Sequence, residues 1–313
     1  MEYGQLKVFG GRANTLLAKE ICSNIGITPG EIKLTNFADK ECRVQILENV
    51  RGADCFVVQP TSPPVNDNLM ELLVIMDALT RASASRITAV IPYYGYGRQD
   101  KKDEPRVPIT SRLVADLITI SGANRVLTMD LHASQIQGFF RIPVDHLYAR
   151  PVFLEHIKKM DIKDLVVVSP DTGGAERARS FAKRIPASMA IADKRRPMPN
   201  KASIMHIIGK VKDKNIIILD DIVDTAGTLV EVAKTLKIKG AKDIYAACTH
   251  GVLSADAVER INKSPLKQLM VSDSIDLEHL KDNKKIKIVS VAKLLGEAII
   301  RAHNNSSIND LFL

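Results

Sequence analysis

IIILDDIVDTAGTLV, residues 216–230, runs four apolar residues directly into two adjacent aspartates, Asp220 and Asp221. A third acid, Asp224, follows, and then Thr225-Ala226-Gly227-Thr228 and a new apolar segment. A short apolar run rich in β-branched residues reads as a buried strand. In a parallel sheet, ligands sit beyond the carboxyl ends of the strands. Two carboxylates there repel one another unless cations or sugar hydroxyls accept them. The small, hydroxyl-bearing turn that follows lets the backbone approach a ligand. Free N–H groups where the next helix starts suit a phosphate. A plain strand–turn–helix junction, with one Asp or Thr as cap, explains one acid and one hydroxyl. It does not explain three acids, so the stretch predicts carboxylates for ribose hydroxyls or Mg²⁺ and a loop for a phosphate on the same sugar.

Working outward, short apolar strands alternate with helical segments through most of the chain. This is the pattern of a mainly parallel sheet covered on both faces. The predicted strands are 55–59, 87–91, 125–129, 165–169, 189–191, 215–219 and 243–248. The predicted helices are 14–25, 66–82, 108–120, 174–183, 229–237 and 254–261. The fold class is α/β, with two similar domains, each a mainly parallel sheet flanked by helices. The layout pairs CFVVQ–helix–RITAVIP in the first half with DLVVVS–helix–MAIA in the second. The expected boundaries are 1–148 for the first domain, 149–300 for the second, and 301–313 for a tail that packs on the first.

Composition narrows the classes. The chain has 313 residues, 45% hydrophobic and 26% charged, as in a soluble globular protein. No apolar run reaches the roughly 18 residues of a membrane span. The N-terminal MEYGQLKVFG lacks the basic-then-apolar pattern of a secretion signal, so a cytoplasmic location is expected. Cys22, Cys42, Cys55 and Cys248 form no C-x-x-C pair and read as reduced thiols rather than a zinc site. The net charge of +8 fits anionic small molecules. Trp is absent and no basic block is interleaved with aromatics, which argues against nucleic acid.

Other stretches repeat the theme of polar groups at strand ends. MDLHASQIQGFF (129–140) sets Asp130 and His132 after a strand. VVVSPDTGG (166–174) sets Asp171 and two glycines after another. Either His132 or Asp171 alone could serve a packed loop. Several such ends together point to a Mg²⁺–phosphate site. ADKRRPMPN (192–200) gathers Lys194, Arg195 and Arg196 in a loop that could close over phosphates and neutralise a transferring phosphoryl group. YYGYGRQDKKDEPR (93–106) offers Arg98 and Gln99 in a second charged loop.

Together with NDNLMELLVIMDAL, RASASRITAVIPYYGYGRQD and CTHGVLS, these stretches resemble the ribose-phosphate pyrophosphokinase family, in family order over nearly the whole chain. The 216–230 motif alone resembles the type I phosphoribosyltransferase fold in general. The resemblance implies diphosphoryl transfer from Mg-ATP to ribose 5-phosphate. It implies that Asp220, Asp221, Asp224, Thr225, Ala226, Gly227, Thr228 and Arg196 bind ribose 5-phosphate. It implies Phe37, Asp39, Lys40 and Glu41, from a neighbouring subunit, with Arg98 and Gln99 for ATP, and His132 and Asp171 for Mg²⁺. Lys194 and Arg196 are the implied catalytic pair. Homo-hexamers built from dimers, activated by phosphate and inhibited by ADP, are also implied.

Three departures stand out. Lys40 occupies a position where the family pattern has Gly, a cost of about 1 kcal/mol if the backbone there is left-handed. KKDEPRV (101–107) is more acidic than the usual loop, and Asn309 stands where regulated members carry a second Ser. The expectation is intact catalysis with altered effector control. A phosphoribosyltransferase and a non-catalytic regulatory homologue are the alternatives.

Overall fold

The computed structural model describes residues 4–195 and 204–312. The chain begins β1 (Leu6–Gly10), α1 (Thr15–Ile25), β2 (Ile32–Asn36), β3 (Cys42–Ile46), β4 (Asp54–Val58) and α2 (Val65–Arg81). It continues β5 (Arg86–Ile91), α3 (Thr110–Ile120), β6 (Arg125–Met129), β7 (Val144–Leu147) and α4 (Arg150–Lys159). Then come β8 (Leu165–Ser169), α5 (Ala175–Ala182), β9 (Ala187–Arg195), β10 (Ile204–Ile208), β11 (Asn215–Val223) and α6 (Gly227–Ile238). The last elements are β12 (Ile244–Gly251), α7 (Ala257–Lys263), β13 (Gln268–Ser272), β14 (Ile286–Val289) and α8 (Ala292–His303).

The chain forms two compact units. The first comprises residues 1–149, 274–276 and 290–313. Its sheet runs β1-β4-β5-β6-β7, every pair parallel. β4 (DCFVV) and β5 (RITAVI) are buried along their whole length. A sheet covered on both faces needs such continuous burial, which is why these strands read as apolar runs instead of alternations. β2 and β3 form a separate antiparallel hairpin. α1 is framed by its caps: the Asn14 side chain accepts from Leu17 N at 3.0 Å, and Gly26 closes it at φ 75°.

The second unit comprises residues 150–273 and 277–289. Its sheet runs β10-β9-β8-β11-β12-β13-β14, parallel except for the β9–β10 hairpin at one edge. Ile216, Ile218, Val166, Val168, Ala246, Leu269 and Val271 form part of its core. Among the described residues no helix is long and apolar enough to cross a membrane.

The expected second domain, 149–300, is corrected at its end, because α8 belongs to the first unit. Several contacts fix it there. A Cβ on Gly296 would meet Ile25 Cγ2 at 2.9 Å, so α8 lies close against α1. Ser290 Oγ donates to Glu20 Oε2 at 2.8 Å. The Arg86 guanidinium, paired with the fully buried Asp54, also donates to Ala302 O at 2.9 Å. His303 Nδ1 lies 2.8 Å from Asp54 Oδ2.

The two halves do repeat, but in a different alignment from the one read in the sequence. Strand–helix–hairpin–strand–helix–strand–helix–strand–strand describes both β1 through β7 and β8 through β14. β1 therefore corresponds to β8, and β4 to β11. β1 (LKVFG) is short and only half buried, so the sequence pattern passes over it. The helix after β7, α4, lies in the second unit, and the helix after β14, α8, lies in the first.

Candidate active site at the strand ends

The opening stretch forms β11 and the start of α6, as expected, with one extension. The strand does not stop at Leu219 but runs to Val223. Pairing with β8 ends at Ile218, whereas pairing with β12 continues to Val223. Asp220 and Asp221 therefore lie beyond the last residue of β11 that pairs with β8.

Alternate strand residues face opposite ways, yet both carboxylates reach the Arg177 guanidinium of α5. Arg177 Nη1 lies 3.0 Å from Asp221 Oδ1 and 3.7 Å from Asp220 Oδ1. Asp221 N donates to Asp220 Oδ1 at 2.9 Å. The Asp221 side chain is 7% exposed and that of Asp220 25%. Burial first, and the neighbouring Asp221 carboxylate second, push the Asp220 carboxyl up to about 8. Arg177 opposes that shift. An acid pair held this close, with one cation between, favours a hydrogen-bonding or cationic ligand.

The turn after β11 is tight, with one left-handed residue. Ala226, just before α6, adopts φ 58°, a left-handed conformation that costs a non-glycine residue free energy. A Cβ added at Gly227 would make ordinary contact with Thr225 Oγ1 at 3.8 Å and Arg260 Nη1 at 3.9 Å, so these two groups border the glycine. Two outside contacts hold the turn. Ser254 Oγ donates to Asp224 Oδ1, and Arg260 Nη1 donates to Thr225 O at 3.3 Å. Thr228 lies in the first turn of α6.

Asp171 lies in the same unit, in the loop between β8 and α5. Its Oδ1 accepts from Gly174 N at 2.8 Å, and its backbone O accepts from Ser169 Oγ at 2.7 Å. A Cβ on Gly174 would be 3.6 Å from Asp171 Oδ1 and 3.8 Å from Arg177 Nη1. Asp171, Arg177, Asp220 and Asp221 are thus neighbours. Arg177 is the residue the sequence reading missed.

In the first unit, His132 is exposed just beyond β6. A Cβ on Gly97 would stand 3.9 Å from His132 Cβ, so the turn carrying Arg98 and Gln99 lies against it. Gln99 is anchored: its Oε1 accepts from Thr110 Oγ1 at 2.6 Å, and its backbone O accepts from Ser111 N at 3.1 Å. Asp130 is structural instead, for its buried carboxylate accepts from Ala149 N at 2.8 Å.

Phe37, Asp39, Lys40 and Glu41 stand exposed at the tip of the β2–β3 hairpin. Phe37 N donates to Glu41 O, Lys40 N donates to Phe37 O, and Asp39 Oδ1 accepts from Glu41 N. Lys40 has φ 80°, the left-handed geometry expected for a position that suits glycine. The Arg43 guanidinium lies 5.5 Å from the Phe37 ring centre.

The basic stretch differs from the loop expected over 192–200. Residues 192–195 extend β9, with Lys194 opposite Met205 of β10 in the register. Arg196 lies outside the described residues. The tail residues Ser306, Ser307 and Asn309 line a cavity of about 540 Å³ with Arg125, Asp145 and His146.

Comparison with known proteins gives the family and the fold. The N-terminal domain of ribose phosphate pyrophosphokinase matches residues 6–122, and the phosphoribosyl synthetase-associated domain matches residues 193–313. A ribose-phosphate pyrophosphokinase of Clostridium tetani is 53% identical over 99% of this chain and 98% of its own length. One of Bacillus subtilis is 50% identical over 99% of each chain. The crystal structure of phosphoribosylpyrophosphate synthetase from Mycobacterium smegmatis is 38% identical and covers 97% of this chain and 100% of its own, with a TM-score of 0.91. The chain is an α/β enzyme of the phosphoribosyltransferase-type fold. It belongs to the ribose-phosphate pyrophosphokinase family.

Proposed function

We propose that this chain transfers the β,γ-diphosphoryl group of Mg-ATP to O1 of ribose 5-phosphate, giving phosphoribosyl diphosphate and AMP. The observation that carries the sugar side is the acid pair of β11 beside the left-handed turn of α6. Asp220 and Asp221 accept from the ribose hydroxyls. The N–H groups and hydroxyls of Asp224–Thr228 take the 5-phosphate. Arg177 offers charge to the phosphoryl group from the same end of the sheet.

Arg98 and Gln99, with Phe37, Asp39, Lys40 and Glu41 of a neighbouring subunit, contact ATP. Lys194 and Arg196 draw negative charge off the transferring phosphorus. The bond from O1 to the β-phosphorus forms as the bond from that phosphorus to the AMP oxygen breaks. The O1 proton leaves to solvent.

His132 of the first unit and Asp171 of the second would each serve as a Mg²⁺ ligand. Among the described residues no group of three or more His, Cys, Asp or Glu could hold a metal by itself. One imidazole and one carboxylate are donors that suit Mg²⁺, which keeps water ligands and shares substrate phosphates instead of entering an all-protein cage. Its chemistry there is to spread charge off the phosphate oxygens.

The working form is a homo-hexamer built from dimers, in the cytoplasm. With Asn309 where the family resemblance implies a second Ser, activation by phosphate and inhibition by ADP are altered relative to regulated members.

The test mixes the protein with Mg-ATP and ribose 5-phosphate and measures products by chromatography. AMP and phosphoribosyl diphosphate forming one-to-one is the expected result. ADP in place of AMP, or consumption of phosphoribosyl diphosphate only with a free base, contradicts the proposal. Repeating the assay with added phosphate and ADP tests the effector reading.

A further inference from the structure

We infer that Arg12 and Glu71 are positioning residues for the nucleotide, setting the angle at which the β2–β3 hairpin presents its tip. The inference rests on the reading of that tip as an ATP contact.

Among the described residues the hairpin pairs with no other strand, and an isolated two-stranded ribbon is marginal alone. Its orientation must come from what it touches. One contribution is apolar: Ile32, Leu34, Val44 and Ile46 lie on the core of the first unit. Such contact is non-directional. Among the described residues, two polar clamps supply directional contacts. At the base, Lys7 pairs with Glu48, whose other oxygen accepts from Glu31 N at 2.8 Å.

The second clamp grips just below the tip. Asn36 and Cys42 are the last register pair before residues 37–41. Arg12 Nη2 donates to Asn36 Oδ1 at 2.8 Å and lies 3.8 Å from Cys42 Sγ. Arg12 is itself fixed by Glu71, which accepts from both its Nε and its backbone N. The Glu71 side chain is 2% exposed, although it is a carboxylate on α2 with no place in the proposed chemistry. Gln59, at the end of β4, donates to Glu71 Oε1 at 3.0 Å and accepts from Ala13 N at 3.1 Å. Gly11 lets Gln59 come this near, since a Cβ there would stand 2.2 Å from Gln59 Oε1. A buried charge held by this many donors makes a rigid post, and Arg12 links that post to the hairpin.

The test compares steady-state constants of the full-length enzyme. Asn36→Ala cuts only the last link and lies on the surface. Glu71→Gln removes the buried charge. Both are expected to raise KM for ATP about tenfold while kcat and KM for ribose 5-phosphate stay within about twofold. Asn36→Asp keeps the acceptor and should restore KM for ATP. Phe37→Ala probes the tip itself. If Phe37→Ala leaves KM for ATP unchanged, the tip is no nucleotide contact and the underlying reading falls. If Phe37→Ala raises it and Asn36→Ala does not, the positioning role alone is overturned. Asn36→Ala lowering Tm and weakening both substrates equally would also overturn it, leaving the network a folding element only.

Discussion

The turn after β4 and the turn after β11 occupy the same place in the two halves, and they are built in opposite ways. After β4, polar groups are answered from within. The Asn68 side chain donates to Ser62 O at 2.8 Å, Thr61 Oγ1 accepts from Gly95 N at 2.6 Å, and Gln59 donates to Glu71. Gln59, Thr61 and Ser62 are buried. At the end of β11, two acids share one guanidinium, and the turn that follows carries a left-handed alanine and a glycine. A satisfied turn stabilises its unit, whereas charge and strain held at a strand end point to a ligand. The same topology thus serves as scaffold in one half and as candidate sugar site in the other.

The largest test of the repeat concerns its exchanged last helices. Ending the chain at Val289 removes α8 from α1 and leaves the buried Asp54–Arg86 pair without Ala302 and His303. The first unit is then expected to lose cooperative unfolding, read by circular dichroism and thermal melting. A truncated chain that melts as sharply as the full one would break the account of α8.

Next in size is Asp220→Asn. Turnover should fall by about two orders of magnitude or more, because a hydroxyl acceptor becomes partly a donor. Stability should move the other way. The folded carboxyl titrates near 8, above its ordinary value, so between about pH 4 and 8 the folded state holds a proton that the unfolded chain releases. Ligand-free wild-type stability therefore falls as pH rises through that window. Asp220→Asn removes that part of the slope and should gain on the order of 1 kcal/mol at pH 8. Denaturant titrations at pH 5 and pH 8 measure both.

The counterpart in the other half is Asn68→Ala. It should cost about 1–2 kcal/mol by leaving Ser62 O without its donor, with kcat and both KM values unchanged. The smallest expected effect is at the hairpin tip. Lys40→Gly relieves a left-handed lysine and should stabilise by about 1 kcal/mol or less, read as a small rise in Tm.

Much of this was legible in the sequence where burial is continuous. β4, β5, β6, β8 and β11 are apolar runs because both their faces are covered. β1, β2, β3, β7 and β14 are four or five residues with polar or half-exposed positions, too short for a period to register. Missing β1 and the β2–β3 hairpin matched β4 to β8 instead of β11. The acids of β11 were visible because charge after an apolar run is costly. Arg177 was not, since nothing in AERARSFA tells which of Arg177 and Arg179 faces the sheet. Only the placement of α5 beside β11 decides it. Lys40 shows the reverse: the departure from glycine was readable, and its φ of 80° gives it a physical meaning.

The most direct measurement is calorimetric binding of ribose 5-phosphate to the wild type, Asp221→Asn and Asn68→Ala under one set of conditions. The account predicts binding by the wild type and Asn68→Ala with similar affinity, and affinity at least about tenfold weaker for Asp221→Asn. Equal binding by Asp221→Asn, or loss confined to Asn68→Ala, would contradict the assignment of the sugar to the β11 strand end.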